Sequence, residues 1–382
     1  MTLTAAIGAS QALDGREAAA IAARQALGQA GRYPPVLAIV IASHHHPIQQ
    51  VQSGVAGVLT NTPVIGLSTV ECITAAGPAA RSVIVVLLAG DRLTGRADWW
   101  SNLNEAPAEI AAAINQNYLT SQGNCFLAAD GLSSQVKSVL SALSPTDHLL
   151  FGCLSSGDLR QGRTYQIGGG ESGSDGLAAA MLSGELTIGI GLDHGWQPVG
   201  AYSRITSARE EHLYELDHRP VAEAYARLFG YPVEEWSSPP LNELVRLYPL
   251  GIEQGPGRPL LVRSPLMIEP DGNFRMAASL PVGAMAHILV SSKKNCLGAA
   301  ERAARQALET LGGVTPRLAL IWEDISWRML FEAQAGQEIE LIRSILGVEV
   351  PLAGGYTLGQ IAQANGGAEL YNQHIEVVLI GE

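Results

Sequence analysis

The sequence predicts an α/β protein whose mixed sheets are backed by helices and built from pseudo-repeated units. Three observations predict it. The hexapeptide AARQAL occurs at 22–27 and again at 303–308, and a strand-like run follows each at the same offset, Leu37–Val40 and Leu318–Ile321. Further on, TPVIGLST (62–69) matches VPLAGGYT (350–357), pairing Gly66 with Gly354 and Thr69 with Thr357. The two units close on VIVVLLAG (83–90) and IEVVLIGE (375–382). These strand runs are continuously apolar, as expected where a sheet is covered on both faces. Matched blocks in one order make the chain ends copies of one supersecondary unit.

Each element has a local reason. Asp14 and Glu17 form a D-x-x-E capping box ahead of a helix over 15–28, with Ala18, Ile21, Ala22 and Leu27 at helical spacing. LAIVIA, PVIGL and SVIVVLL follow as strands. A looser third copy lies in the middle: CFLAAD (125–130), the helix-like SSQVKSVLSAL (133–143), LLFGCLSSGD (149–158) and GLAAAMLSGE (176–185). There Gly152 takes the place of Gly66, and Ser155 that of Thr69. Residues 186–218 alternate in strand fashion, and 231–258, punctuated by Pro and Gly, read as a connection. RPLLVRSP, NFRMAASLPVG and AMAHILVSS add three strands. The expected domains are 1–230 and 231–382, with the first and last units packed across a pseudo-two-fold.

Composition narrows the function. The 382 residues carry 24 Lys+Arg against 36 Asp+Glu, a net charge of −12, so a sequence-independent grip on nucleic acid or anionic membrane is not expected. The hydrophobic share is 47% and the charged share 16%, enough apolar content for more than one core. No apolar run reaches the roughly 18 residues of a membrane span, and the N-terminus lacks the pattern of a signal peptide. Cys72, Cys125, Cys153 and Cys296 lie far apart, with neither disulfide nor zinc spacing. The chain reads as reduced and cytoplasmic, with no cofactor.

Several residues carry candidate chemistry. His44, His45 and His46 end a strand where open sheets hold ligands, but adjacent rings aim poorly at one ion, so a polar cap or rim is the expectation. Gly168-x-Gly170-x-x-Gly173 matches a dinucleotide fingerprint formally. Its following segment aligns with a closing strand, so a glycine-rich hairpin is expected instead. Ser68, Thr69, Ser155, Ser156, Tyr356 and Thr357 share one repeat position after a buried strand. They would either contact a ligand carboxylate or cap a following helical turn. Trp196, in His-Gly-Trp-x-Pro, would wall a pocket or anchor a hairpin. Arg263, inside an apolar strand, needs a partner: a ligand carboxylate, Glu323 or Glu340. Glu323 and Asp324 end a strand, as receptors for a ligand ammonium group or as exposed loop carboxylates.

VIGLSTVECIT resembles the G-x-S-T-x-G-E-I stretch of FIST N domains, and the run 182–230, with its H-G-W-x-P-V-G core, resembles their second half. PLGIE, LLVRSPLMIEPDGNFRMAASLPVGAMAHILV and VPLAGGYTLGQI resemble FIST C domains, whose late motif runs P-x-x-G-x-Y-T-x-G-E-I. The likeness spans roughly 35–380. Glu71-Cys72 replaces the usual Gly-Glu, Gln360 replaces Glu, and Trp322-Glu323 stands where many relatives carry Cys.

The resemblance implies a free-standing, bacterial-type sensory module that binds a small ligand such as an amino acid and signals to a protein partner. The ligand-contact residues expected on that basis are Ser68, Thr69, Ser155, Trp196, Arg263, Glu323, Tyr356 and Thr357. The alternatives are a protein–protein adaptor without ligand and an enzyme of unrecognised type; no catalytic or metal-binding residue is assigned.

Overall fold

The computed structural model describes residues 3–120, 122–158, 162–236, 238–239, 241–364 and 367–382. Three copies of one α/β unit follow one another. The first comprises β1 (Thr4–Ser10), α1 (Gly15–Gln29), β2 (Pro35–Ser43), α2 (Ile48–Ala56), β3 (Val64–Thr69), the hairpin β4 (Cys72–Thr74) and β5 (Gly77–Ala79), and β6 (Val83–Ala89). The second runs through β7 (Leu93–Ser101), α3 (Pro107–Asn117), β8 (Asn124–Ala129), α4 (Val136–Ala142), β9 (Leu150–Leu154), the hairpin β10 (Gln166–Gly168) and β11 (Glu171–Gly173), and β12 (Gly176–Gly184).

The third unit opens with β13 (Thr187–Asp193) and is interrupted by an inserted layer. That layer holds β14 (Gln197–Arg209), β15 (His212–Leu216), β16 (Arg219–Pro220), α5 (Val221–Phe229), α6 (Val233–Trp236), α7 (Leu241–Leu244), β17 (Leu250–Ile252), β18 (Leu261–Arg263), β19 (Pro265–Ile268), β20 (Phe274–Met276) and β21 (Met285–Val290). The unit then resumes with α8 (Lys293–Thr310), β22 (Pro316–Asp324), α9 (Ile325–Phe331), α10 (Gln337–Leu346), β23 (Leu352–Thr357), the hairpin β24 (Gln360–Ala364) and β25 (Gly367–Tyr371), and β26 (Ile375–Gly381).

The three sheets have one strand order: β1-β6-β2-β3-β10-β11, β7-β12-β8-β9-β24-β25 and β13-β26-β22-β23-β4-β5. Each unit therefore builds four strands and donates its hairpin to another unit's sheet. The first donates to the third, the third to the second, and the second to the first. Register proves the equivalence: Gly66 pairs with Ile167, Gly152 with Ile361, and Gly354 with Ile73. The packing expected across a pseudo-two-fold is instead a closed pseudo-three-fold ring. The middle copy is a full member, although its sequence match is looser.

The repeated AARQAL has a packing reason. A Cβ on Gly8 would sit 1.9 Å from the carbonyl oxygen of Ala22, and one on Gly191 would sit 1.8 Å from that of Ala303. Glycine on the strand and alanine on the helix let α1 lie on β1, and α8 on β13, with backbones nearly touching. The inner faces of all three sheets meet in one core that includes Ile41, Phe126, Phe151 and Trp322, with Trp322 stacked on Phe126 at 5.5 Å. The helices cover the outer faces. The insertion keeps its own aromatic core around Tyr225, Trp236 and Phe274. No helix among the described residues is long and apolar enough to cross a membrane.

Candidate functional site

The repeated hydroxyl positions converge on the axis of the ring and are used by the fold. Thr69 Oγ1 faces the Ala42 carbonyl at 3.5 Å, Ser155 Oγ that of Ala129 at 3.1 Å, and Thr357 Oγ1 that of Glu323 at 3.3 Å. The hairpin residue three-fold related to Cys72 reaches the same hydroxyl: Gln166 Nε2 donates to Ser155 Oγ at 2.6 Å and Gln360 Nε2 to Thr357 Oγ1 at 3.2 Å. Ser68 Oγ donates to the Ser156 carbonyl at 2.8 Å, and Ser156 Oγ donates to the Tyr356 carbonyl. All six residues are buried. The chain continues from each position into a hairpin rather than a helix, so the helix-cap alternative does not describe them.

Other candidates are also held by protein groups. Arg263, 1% exposed, bonds Glu369 at 3.1 Å and the Leu370 carbonyl at 2.9 Å, so its partner is neither Glu323 nor Glu340. Trp196 is buried and donates its indole N–H to the Gln373 carbonyl at 3.0 Å. The three histidine rings turn to three partners: His44 Nδ1 to the Thr69 carbonyl, His45 Nδ1 to Ser43 Oγ, and His46 Nε2 to the Arg81 carbonyl. Among the described residues, no group of three His, Cys, Asp or Glu is placed to hold a metal ion. The glycine cluster forms the β10–β11 hairpin, with Gly169 and Gly170 at φ +56° and +86° in its turn.

What remains is the carboxyl edge of the third sheet. Glu323 and Asp324 end β22 there, and both are fully buried, not the exposed loop carboxylates that their position allowed. Asp324 is satisfied: it accepts from Ser326 N at 3.0 Å, capping α9, and from Gln373 N at 2.9 Å. Glu323 is different. Among the described residues, neither of its carboxyl oxygens has a hydrogen-bond partner. Burial pushes its pKa well above the usual range, Glu338 and Asp324 push it further, and only Arg328 opposes them. Arg328 is itself engaged by Glu71, at 3.0 and 3.4 Å.

The surroundings form a connected set. Tyr356, opposite Glu323 in the parallel ladder, donates its hydroxyl to Glu338 Oε1 at 3.3 Å. Glu338 also accepts from Gly336 N, which lines an open cleft of about 410 Å³ between the α9–α10 connection and the donated β4–β5 hairpin. Burial raises the pKa of Glu338 as well. Burial drives the Cys296 thiol up to about 12, so it stays protonated at neutral pH and is a poor nucleophile.

The structure thus joins Glu323, Tyr356 and Thr357. It sends Trp196 and Arg263 to the adjoining seam with the insertion, and Ser68, Thr69 and Ser155 to the axial knot. Glu338, Arg328 and Glu71 belong to the cluster but were not assigned from sequence. The usable signal was the repeat itself, which sets Glu323 against Ala42 and Ala129.

Comparison with known proteins agrees with the sequence resemblance. No curated protein matches the chain. Solved structures give distant matches, among them three from Thermotoga maritima: PurLQS, at 9% identity and TM-score 0.24, and PurL complexed with FGAR, at 8% and 0.24. A third is phosphoribosylformylglycinamidine synthase II, at 8% identity and TM-score 0.23. Each match covers 99% of this chain and 72% of the other, but at such scores neither fold nor activity carries over. Family models match the FIST N domain over residues 36–219 and the FIST C domain over 222–363. FIST domains are described as sensory, signal-transducing modules, and this chain belongs to that family.

Proposed function

We propose that the protein is a cytoplasmic sensor that binds a small polar ligand carrying an ammonium group, such as an amino acid. The ligand would sit at the carboxyl edge of the third sheet. One observation carries the reading: Glu323 is fully buried with both oxygens unpartnered among the described residues, amid two further raised carboxyls. An unpaired buried carboxyl is costly, and a cation delivered to it is strongly favoured. The position is also where parallel α/β strands commonly hold ligands. The protonated Cys296 thiol speaks against thiolate nucleophilic chemistry in the cluster.

The bound state would pass to a protein partner through the donated hairpin. Glu71, at the start of that hairpin, is tied to α9 by Arg328, and Arg343 of α10 donates to the Ala75 carbonyl at 2.8 Å. Thermal-shift screening of amino acids and simple amines tests the reading. A ligand at 100 times its dissociation constant stabilises by about 2.7 kcal/mol. Glu323→Gln is expected to abolish the shift. No shift from any amine would leave the adaptor reading in its place.

A further inference from the structure

The glycine hairpin builds a second cavity, far in sequence from Glu323. The turn at Gly169–Gly170 lies flush on β7. A Cβ on Gly168 would be 2.4 Å from the Asp98 carbonyl, and one on Gly169 would be 2.9 Å from that of Ala97. Only glycine allows this approach with φ positive at both turn residues. The turn, the C-terminal part of α2 and the start of β3 enclose about 440 Å³. That volume falls within the roughly 300–1,000 Å³ typical of small-molecule sites.

The lining is asymmetric. Val55, Leu59 and Ile167 make part of the wall apolar, while Arg96 from β7 supplies a cation. Among the described residues Arg96 forms no ion pair and its buried Nη2 has no acceptor; its guanidinium lies 4.2 Å from the Tyr118 ring centroid. Asp98, the carboxylate two residues along β7, is occupied by the Tyr118 hydroxyl at 2.7 Å. A guanidinium that lines the cavity and is held by an aromatic face fits a planar carboxylate. The carbonyl end of α2 disfavours an anion on its own side. The carboxylate would therefore lie toward Arg96, with an apolar tail toward Leu59.

We infer that this cavity is a second ligand site, for a small carboxylic acid with an apolar body. It is independent of the Glu323 site and takes a ligand of opposite charge at its recognition point. The test titrates the full chain with hexanoate and with hexanamide, following the amide NMR signals of Gly169 and Gly170. Hexanoate should saturate and move both signals, and hexanamide should bind at least about tenfold more weakly, a difference of 1.4 kcal/mol. Arg96→Gln should bring hexanoate down to the affinity of the amide. Leu59→Trp, in the apolar part of the wall, should weaken both, and Glu323→Gln should change neither. Equal affinity for acid and amide, no saturable binding of hexanoate, or unchanged binding in Arg96→Gln would each overturn the inference.

Discussion

Glu323 and Ala42 occupy one register position in two copies of one unit. Ala42 pairs with Ser68 and Val83, and Glu323 with Tyr356 and Ile375. Ala129 holds the position in the remaining copy, pairing with Leu154 and Leu177. Two units thus show what the fold needs there: a small apolar side chain. The carboxyl of the third is an addition that packing does not require, and the account of function rests on that contrast.

The first prediction follows for stability against pH. The folded pKa of Glu323 is raised, so between its unfolded value near 4.3 and its folded value the native state binds more protons. Its protonated form is fully compatible with folding at low pH, and stability is lost as pH rises through that window. The slope for one group is up to about 1.4 kcal/mol per pH unit. Glu323→Gln should therefore stabilise the unliganded protein at pH 8 and change it little at pH 4. Denaturant melts at both values decide, and equal effects at both would contradict the prediction.

His374 should give the opposite limb. Burial lowers its pKa to about 3, and the nearby His194 ring opposes its charge as well. The unfolded state takes up the proton first as pH falls, so the contribution of the neutral ring is present above about 6.5 and lost on the way to 3. His374→Gln should flatten the acid side of the stability profile between those values. An acid limb as steep as wild type would exclude His374 as its cause.

Trp196 and Trp327 donate to one acceptor, the Gln373 carbonyl, at 3.0 and 2.9 Å. Gln373 also bonds the Arg246 carbonyl and Ser264 Oγ through its side chain, fastening the insertion to the third unit. Replacing either tryptophan by Phe should cost about 0.5–1.5 kcal/mol in lost hydrogen bonding, because the carbonyl keeps one donor. The double variant orphans a buried carbonyl and should cost more than the sum. Additive costs in a double-mutant cycle would show that the shared acceptor is not what couples them.

Gly8→Ala and Gly191→Ala should each destabilise by about 1–3 kcal/mol, the usual range for overpacking. Each added Cβ must push a helix backbone away from its strand. Gly28→Ala, where a Cβ meets nothing within 4 Å, serves as the control and should be neutral or stabilising. A neutral result at both packed positions would mean that helix and strand separate without cost.

Much of this architecture is legible in the sequence. The capping Asp14 does accept from Glu17 N, at 2.9 Å, and the matched Gly66 and Gly354 do share a register position. The closed ring is not legible, because the donated hairpins are three- to five-residue strands whose partners lie in other units. Local pattern carries no record of such pairing. Arg263 was legible as a residue needing a partner, but Glu369 became that partner only through the exchange that brings β25 near the insertion. Glu323 ends a strand, a position that fits a ligand receptor or an exposed loop carboxylate equally; its complete burial depends on elements packed over that edge from elsewhere in the chain. The turn into each closing strand shows the same limit: Arg81, Asp175 and Gln373 share positive φ, +48°, +51° and +67°, with three unrelated side chains.

The central claim is that Glu323 is a neutral buried acid that gives up its proton to take a cation. Calorimetry with the amino acid giving the largest thermal shift, in two buffers of different ionisation enthalpy at pH 7, measures the protons exchanged on binding. The account predicts release of about one proton by wild type and essentially none by Glu323→Gln, together with the variant's loss of at least about tenfold in affinity. Binding without proton release, or with equal release and affinity in the variant, would contradict it.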